Sequence, residues 1–364
     1  MKMEVNQDCQ VVSLAECRRF ITECMIAVGT PEAHAKAQSD LLVEADYRGH
    51  YSHGMNRLEH YINDIQMGWT DKLATPKILA ETPATAWVDG RNGLGAIVGN
   101  FSMEIAIKKA KNVGVGWVCT KGANHYGIAG AYAMQAAKVG LVGLSFTNTS
   151  PLTNSTRSKK PAIGVNPLSC AASSSDDSFV LDMSTSVVAV GKIEMQKRKH
   201  ENIPEGWALD HEGNVTVDPE VAYEALHLLP LGGTELHGGY KGFGLGVMVE
   251  ILTGVMAGAN YAKHIPSYNP FSKDRPSDLG QCFIAVDPKC FAPDFENRLD
   301  DLLQFARNLE PVNSEKPVIV AGDPEREHMA EVDRVGGVSF CRDQLETCSK
   351  LAISLKVTPL KFQN

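Results

Sequence analysis

Between residues 84 and 147, short apolar runs alternate with helical patterns rich in small residues, and this alternation leaves few architectures open. Residues 84–88, 116–120 and 141–147 read as strands; residues 101–111 and 128–139 read as helices. Strands and helices in turn bury their apolar faces best as a sheet covered by helices, so an α/β layer structure is expected. A further strand is expected at 179–183, and others at 281–286 and 318–321, the last two separated by an acidic helix at 294–309. A glycine-punctuated helix should run from about 241 to 259. The 202–220 stretch is rich in turn formers and is expected to wrap the surface.

The first 70 residues differ. Ser13 and Glu16 have capping-box spacing, and Phe20, Ile21, Cys24 and Met25 supply an apolar stripe that stops at Gly29. Thr30-Pro31 reads as the cap and first position of a second helix, ending near Gly49. A third helix is expected over 54–66, with an apolar stripe of Leu58, Tyr61, Ile62 and Ile65 at helical spacing and Gly68 as its stop. The expected organisation is a helical lobe (1–74), an α/β nucleotide-binding domain of mixed-sheet type (75–240), and a C-terminal part (241–364) packing with the lobe. A net charge of −8 argues against a nucleic-acid binder. The apolar stretch at 242–262 contains Glu250 and several glycines, so it reads as a buried helix rather than a membrane span. The N-terminal residues show no secretory signal, and nine cysteines without a CxxC pair fit a reducing cytoplasm.

Two glycine-rich segments compete as nucleotide sites. Gly93, Gly95 and Gly99 follow a strand and precede a helix, but the spacing is GxGxxxG. No acid for a ribose hydroxyl stands about 20 residues on, so the Rossmann reading fails and close helix packing explains the glycines better. Gly238-Gly239-Tyr240-Lys241-Gly242 is a stronger candidate, with a positive charge where a helix begins. A flexible loop with a solvated lysine fits it equally well.

His53 and Arg57 stand four apart, which on a helix would set them on one face. A guanidinium fork grips a carboxylate at two points, and a neighbouring imidazole can take or return a hydroxyl proton. Ser52 can steer that imidazole. Metal binding by His50 and His53 lacks a companion carboxylate or cysteine at suitable spacing. A Ser52–His53 hydrolase pair lacks the nucleophile elbow. A satisfied structural histidine also fits, and spacing alone favours that plainer role. His125, Thr149 and the Asp182-Met183-Ser184 run each follow a strand, where ligands collect in α/β folds. Turn and helix-cap roles are the plain alternatives for His125 and Asp182.

Taken in order, Asp46-Tyr47-Arg48-Gly49, Ser52-His53-Gly54, Asn124-His125-Tyr126-Gly127, Asn166-Pro167-Leu168, Leu181-Asp182-Met183-Ser184, Tyr240-Lys241-Gly242-Phe243-Gly244 and Gly322-Asp323-Pro324 resemble the malate/L-lactate dehydrogenases of the second, non-Rossmann type. That group also holds ureidoglycolate, sulfolactate, diketogulonate and cyclic-imine-carboxylate oxidoreductases. The resemblance spans nearly the whole chain. It implies NAD as cofactor, or NADP, a small 2-hydroxy or 2-oxo acid as substrate, and a homodimer with the site between domains. By the same resemblance His53 is the acid/base, Ser52 its partner, and Arg57 the carboxylate contact assisted by Arg48. His125 is an active-site residue, assigned to proton transfer in some relatives and to the cofactor loop in others. Thr149, Asp182, Met183, Ser184, Lys241, Gly322 and Asp323 fall where relatives hold the dinucleotide. Imine or diketo-acid reduction, and a silent nucleotide-binding relative, are the rival readings. Two departures bear on substrate. Val165 replaces a common threonine, and the basic run at 153–160 would favour a dicarboxylate unless it is simply a solvated loop.

Overall fold

The computed structural model describes residues 9–267 and 276–362. Strand β1 (Cys9–Val12) leads into helix α1 (Leu14–Ala27), which Ser13 caps by accepting the Glu16 amide at 3.2 Å. Glu16 does not return the bond expected of a capping box; its carboxylate grips Arg19 instead. Helix α2 (Glu32–Tyr47) starts one residue later than expected, after Pro31, and the buried Thr30 hydroxyl caps nothing. The expected third helix is broken. Two 3₁₀ turns, Tyr51–His53 and Met55–Arg57, precede α3 (Leu58–Gln66), so His53 and Arg57 do not share a regular helical face.

Next come β2 (Lys77–Glu81), β3 (Thr85–Asp89), α4 (Gly95–Val113), β4 (Val115–Ala123), α5 (Gly130–Ala137) and β5 (Val142–Thr147). Short strands β6 (Thr153–Asn154) and β7 (Pro161–Ile163) precede the hairpin β8 (Leu168–Ser173) and β9 (Ser178–Met183). After α6 (Val190–Lys199), the turn-rich region forms β10 (Ala208–Leu209) and β11 (Val215–Thr216). Helix α7 (Pro219–Ala225) and β12 (His227–Leu228) complete a small second sheet there, ordered β11-β10-β12-β6-β7. Ile203, Ala208 and Leu228 are buried, so this region is more than a surface wrap.

Helix α8 (Gly239–Glu250) continues through a single π turn at Ile251–Val255. Strand β13 (Leu279–Val286) and helices α9 (Phe295–Arg307) and α10 (Asp323–Val335) follow, then β14 (Val338–Cys341) and α11 (Arg342–Leu355). The stretch expected as a strand at 318–321 has none; one bond, from the Val180 amide to the Ala321 carbonyl, ties it to β9.

The main sheet runs β2-β3-β4-β13-β5-β8-β9, with β3 and β4 parallel and every other pair antiparallel. Its central strand, β13, comes from the C-terminal third and is buried along nearly its whole length, as a strand covered on both faces requires. The stretch after residue 240 thus contributes to both bodies. Strand β14 pairs with β1, and Phe340, Leu345 and Leu351 close the lobe core of Phe20, Ile21, Leu42 and Ile62. Each such fully buried large side chain contributes about 1.5–3 kcal/mol.

Strand directions decide where chemistry can sit. Because β13 is antiparallel to β4 and β5, and β8 to β5 and β9, strands β3, β4, β5 and β9 all end at the same edge. His125, Thr149 and Asp182 therefore gather at one edge of the sheet. Gly95 presses α4 onto that edge: a Cβ there would lie 2.1 Å from the His125 carbonyl oxygen. The GxGxxxG segment is a packing device, as its spacing indicated.

Candidate active site

Asp46, in the last turn of α2, builds the turn that carries the proton-transfer candidates. Its Oδ2 accepts the Met55 amide at 2.8 Å, and its carboxyl fills the space where a side chain on residue 54 would start. The chain is pinned between these contacts, and His53 precedes Gly54 directly. Asp46 is 1% exposed and burial pushes its pKa up to about 8. The folded chain keeps this proton to a higher pH than the unfolded chain, whose aspartate titrates near ~3.9. Stability on this account is highest below that range and declines as pH rises towards about 8. Asp46→Asn should flatten the decline and leave the variant more stable above neutrality, by at most a few kcal/mol. Thermal midpoints measured from acid to mildly alkaline pH check this; parallel profiles for the two proteins would contradict it.

The Ser52 hydroxyl lies 2.9 Å from His53 Nδ1. Arg57 donates from Nε to the Ser52 carbonyl at 2.7 Å, which orients the guanidinium and leaves its Nη atoms without a protein partner among the described residues. Burial, then the Arg57 charge and His50, lower the His53 pKa to about 3. The imidazole is thus neutral at physiological pH. Gly191, in the first turn of α6, approaches Ser52 so closely that a Cβ would sit 3.0 Å from the serine Cβ.

His125 reaches this group from the end of β4. Its ring stacks on His53 with centroids 5.6 Å apart and planes at 20°. Tyr61 lies 2.5 Å from His125 Nδ1 through its hydroxyl. Lobe and sheet edge therefore meet at the two histidines. Arg48 stands apart, its Nε bonded to Glu44 at 2.6 Å.

The residues expected to hold the dinucleotide divide into two sets. Asp182 and Gly322 line a cleft of about 280 Å³ with Val180, Val320 and Glu325. Asp182 Oδ2 accepts the Gly130 amide at 2.7 Å, so its helix-capping role is also real, and burial raises its pKa. Met183 ends β9 beside this cleft, and the Ser184 hydroxyl donates to the Ser186 carbonyl at 3.2 Å. An acidic side chain beside a glycine-opened cleft at the sheet edge suits a ribose and its backbone. Asp323, by contrast, is taken up by Arg307, Arg326 and the Val320 amide, which hold its carboxyl far below the usual range. Thr149 Oγ1 accepts the Val165 amide at 3.0 Å. Lys241 is exposed near the start of α8, its Nζ 5.9 Å from the centroid of the Tyr240 ring. Among the described residues no three His, Cys, Asp or Glu side chains converge as metal ligands would.

Three contributors were given no role in the site from the sequence. Tyr61 reads there only as part of an apolar stripe, and Asp46 only as a letter in a motif. Glu250, 5% exposed, accepts from Asn148 (3.0 Å), Asn166 (2.6 Å) and the Ala262 amide (2.8 Å), and Asn166 in turn accepts the Thr149 amide at 3.1 Å. A glutamate inside an apolar helix was the available signal for this hub.

A neutral imidazole beside a guanidinium with free Nη donors, set at a sheet edge with a glycine-opened acidic cleft, suits an oxidoreductase that acts on hydroxy acids. The comparisons agree. The malate/L-lactate dehydrogenase family profile matches residues 12–347. Malate dehydrogenase of Pyrococcus horikoshii is 41% identical over 288 residues, 78% of this chain and 79% of that protein. L-sulfolactate dehydrogenase of Methanocaldococcus jannaschii is 37% identical over 93% of this chain and 96% of its own. The crystal structure of malate dehydrogenase from Entamoeba histolytica superposes with a TM-score of 0.91 at 30% identity, covering 96% of this chain and 99% of that one. The chain belongs to the malate/L-lactate dehydrogenase family. It is an NAD(P)-dependent hydroxy-acid dehydrogenase with a non-Rossmann mixed α/β fold.

Proposed function

We propose that this enzyme interconverts a malate-like 2-hydroxy acid and its 2-oxo acid, with NAD as the preferred cofactor. The observation that carries the reading is the Ser52–His53–Arg57 cluster, with Oγ to Nδ1 at 2.9 Å and the guanidinium fixed on the Ser52 carbonyl at 2.7 Å. Asp182, Met183, Ser184 and Gly322 would hold the dinucleotide, which supplies the hydride acceptor or donor when bound. Arg57 fixes the substrate carboxylate through its Nη atoms. Neutral His53 takes the 2-hydroxyl proton in oxidation and returns it to the carbonyl oxygen in reduction, with Ser52 holding the ring in place.

Two departures from the family pattern bear on specificity. The basic run gives little support for a dicarboxylate, because Arg157 pairs with Glu235 at 3.0 Å and Lys159 with Glu212 at 3.0 Å at the surface. Val165 packs beside the Val188 and Val190 cluster. The malate preference rests instead on the malate and sulfolactate dehydrogenases that resemble this chain, whose named acids both carry a second anionic group.

A homodimer fits the exposed apolar side chains of Met248, Ile251, Val255 and Met256 on α8, its π turn and the residue after it, where the Trp87 indole donates to the Ala257 carbonyl at 2.8 Å. All nine cysteines are free, and no described helix is long and apolar enough to cross a membrane, in keeping with a cytoplasmic enzyme. Arg57→Lys should raise the KM for the oxo acid about 10- to 100-fold, the equivalent of one lost charge-assisted bond, while kcat changes less. Steady-state kinetics with both cofactors and several oxo acids test this; an unchanged KM would exclude Arg57 as the clamp.

A further inference from the structure

We propose that Tyr61 is a positioning residue that fixes His125 with its hydrogen on Nε2, leaving proton transfer to His53 alone. One partner of His125 can only donate. The Gly127 amide donates to His125 Nδ1 at 3.4 Å, so that nitrogen presents a lone pair, though a bond this long is too weak to hold the tautomer by itself. The Tyr61 hydroxyl lies 2.5 Å from the same nitrogen. A nitrogen that accepts an amide hydrogen carries none of its own, so the Tyr61 hydroxyl, 4% exposed and kept protonated by burial, donates to it as well. Two donors into Nδ1 put the ring hydrogen of the neutral imidazole on Nε2. The neighbouring histidine differs, because His53 Nδ1 meets a hydroxyl that can donate or accept.

The two stacked rings thus receive different work. His53 can change protonation during turnover with Ser52 adapting to either form. His125 is held as a neutral Nε2–H donor, suited to polarising an oxygen but not to abstracting a proton. Tyr61 sits on α3, which follows directly on the 3₁₀ turn that carries Arg57. The assignment of roles rests on the function proposed above; the tautomer itself does not.

The test is nitrogen NMR of the full chain labelled at histidine, with the His125 signals identified by their loss in His125→Gln. The expected wild-type spectrum shows the Nε2–H form across neutral pH, and Tyr61→Phe, which keeps the ring, moves it towards a mixture. Turnover of Tyr61→Phe should fall roughly 5- to 30-fold, as loss of about 1–2 kcal/mol predicts. A wild-type His125 carrying its hydrogen on Nδ1 would overturn the proposal even if the variant failed to fold. So would an unchanged tautomer in Tyr61→Phe. Absence of turnover with every hydroxy acid, with the Nε2–H form observed, would instead count against the function and leave the tautomer standing.

Discussion

His53→Ala is expected to lower turnover by about two to four orders of magnitude, the usual span for loss of a general acid/base. Its KM should change far less, since Arg57 still holds the carboxylate. The reason is local: His53 is neutral at physiological pH, with a pKa lowered to about 3, and bonded to Ser52 through Nδ1. It therefore enters oxidation without a proton, although the burial and charge that lower its pKa also weaken it as a base. In reduction it must gain one, and the arriving carboxylate helps by offsetting the Arg57 charge that depresses it. His125→Asn should cost less, because an amide replaces a hydrogen-bond donor without replacing a base. Steady-state rates in both directions check the ranking; a near-normal His53→Ala with an inactive His125→Asn would reverse the two roles.

Gly54→Ala is the second large effect. An added Cβ would lie 1.8 Å from Asp46 Oδ1 and 2.1 Å from its Cγ, far inside contact distance. The carboxyl cannot withdraw easily, since its other oxygen holds the Met55 amide within a buried site. The backbone must move instead, and it carries His53 on one side and Arg57 on the other. A stability loss of about 3 kcal/mol or more, together with loss of activity, is the expected outcome. Shortening the opposing side chain separates the clash from any general effect. In the double variant Gly54→Ala with Asp46→Ala, thermal stability should fall by clearly less than the sum of the two single losses. Additive losses would mean that the contact is not the cause.

The strand and helix order from 84 to 147 was readable because each segment has a clean period and glycine or polar boundaries, and β3, α4, β4, α5 and β5 lie where that pattern put them. Residues 54–66 misled for a physical reason. Leu58, Ile62 and Ile65 have helical spacing, but Gly54 and the buried Asp46 carboxyl impose a tighter turn before it. The central place of β13 was not legible, since nothing local to Leu279–Val286 states which strands will flank it. Val318 to Ala321 shows the converse, an apolar run that borders β9 through one bond without becoming a strand. At the site, Ser52, His53, Arg57 and His125 were recognisable from motif and residue type, and they do lie together. Tyr61 was not, because a tyrosine in an apolar stripe gives no sign of where its hydroxyl ends. Asp323 shows the limit of motif matching: its carboxylate is committed to Arg307 and Arg326.

The most direct test of the central claim is oxidation of reduced nicotinamide cofactor, followed by its absorbance, with oxaloacetate and other small 2-oxo acids as substrates. The account predicts turnover with at least one such acid, abolished or nearly so in His53→Ala and retained at raised KM in Arg57→Lys. A folded wild-type protein that oxidises neither NADH nor NADPH with any of these acids, or a His53→Ala variant as active as the parent, would contradict it.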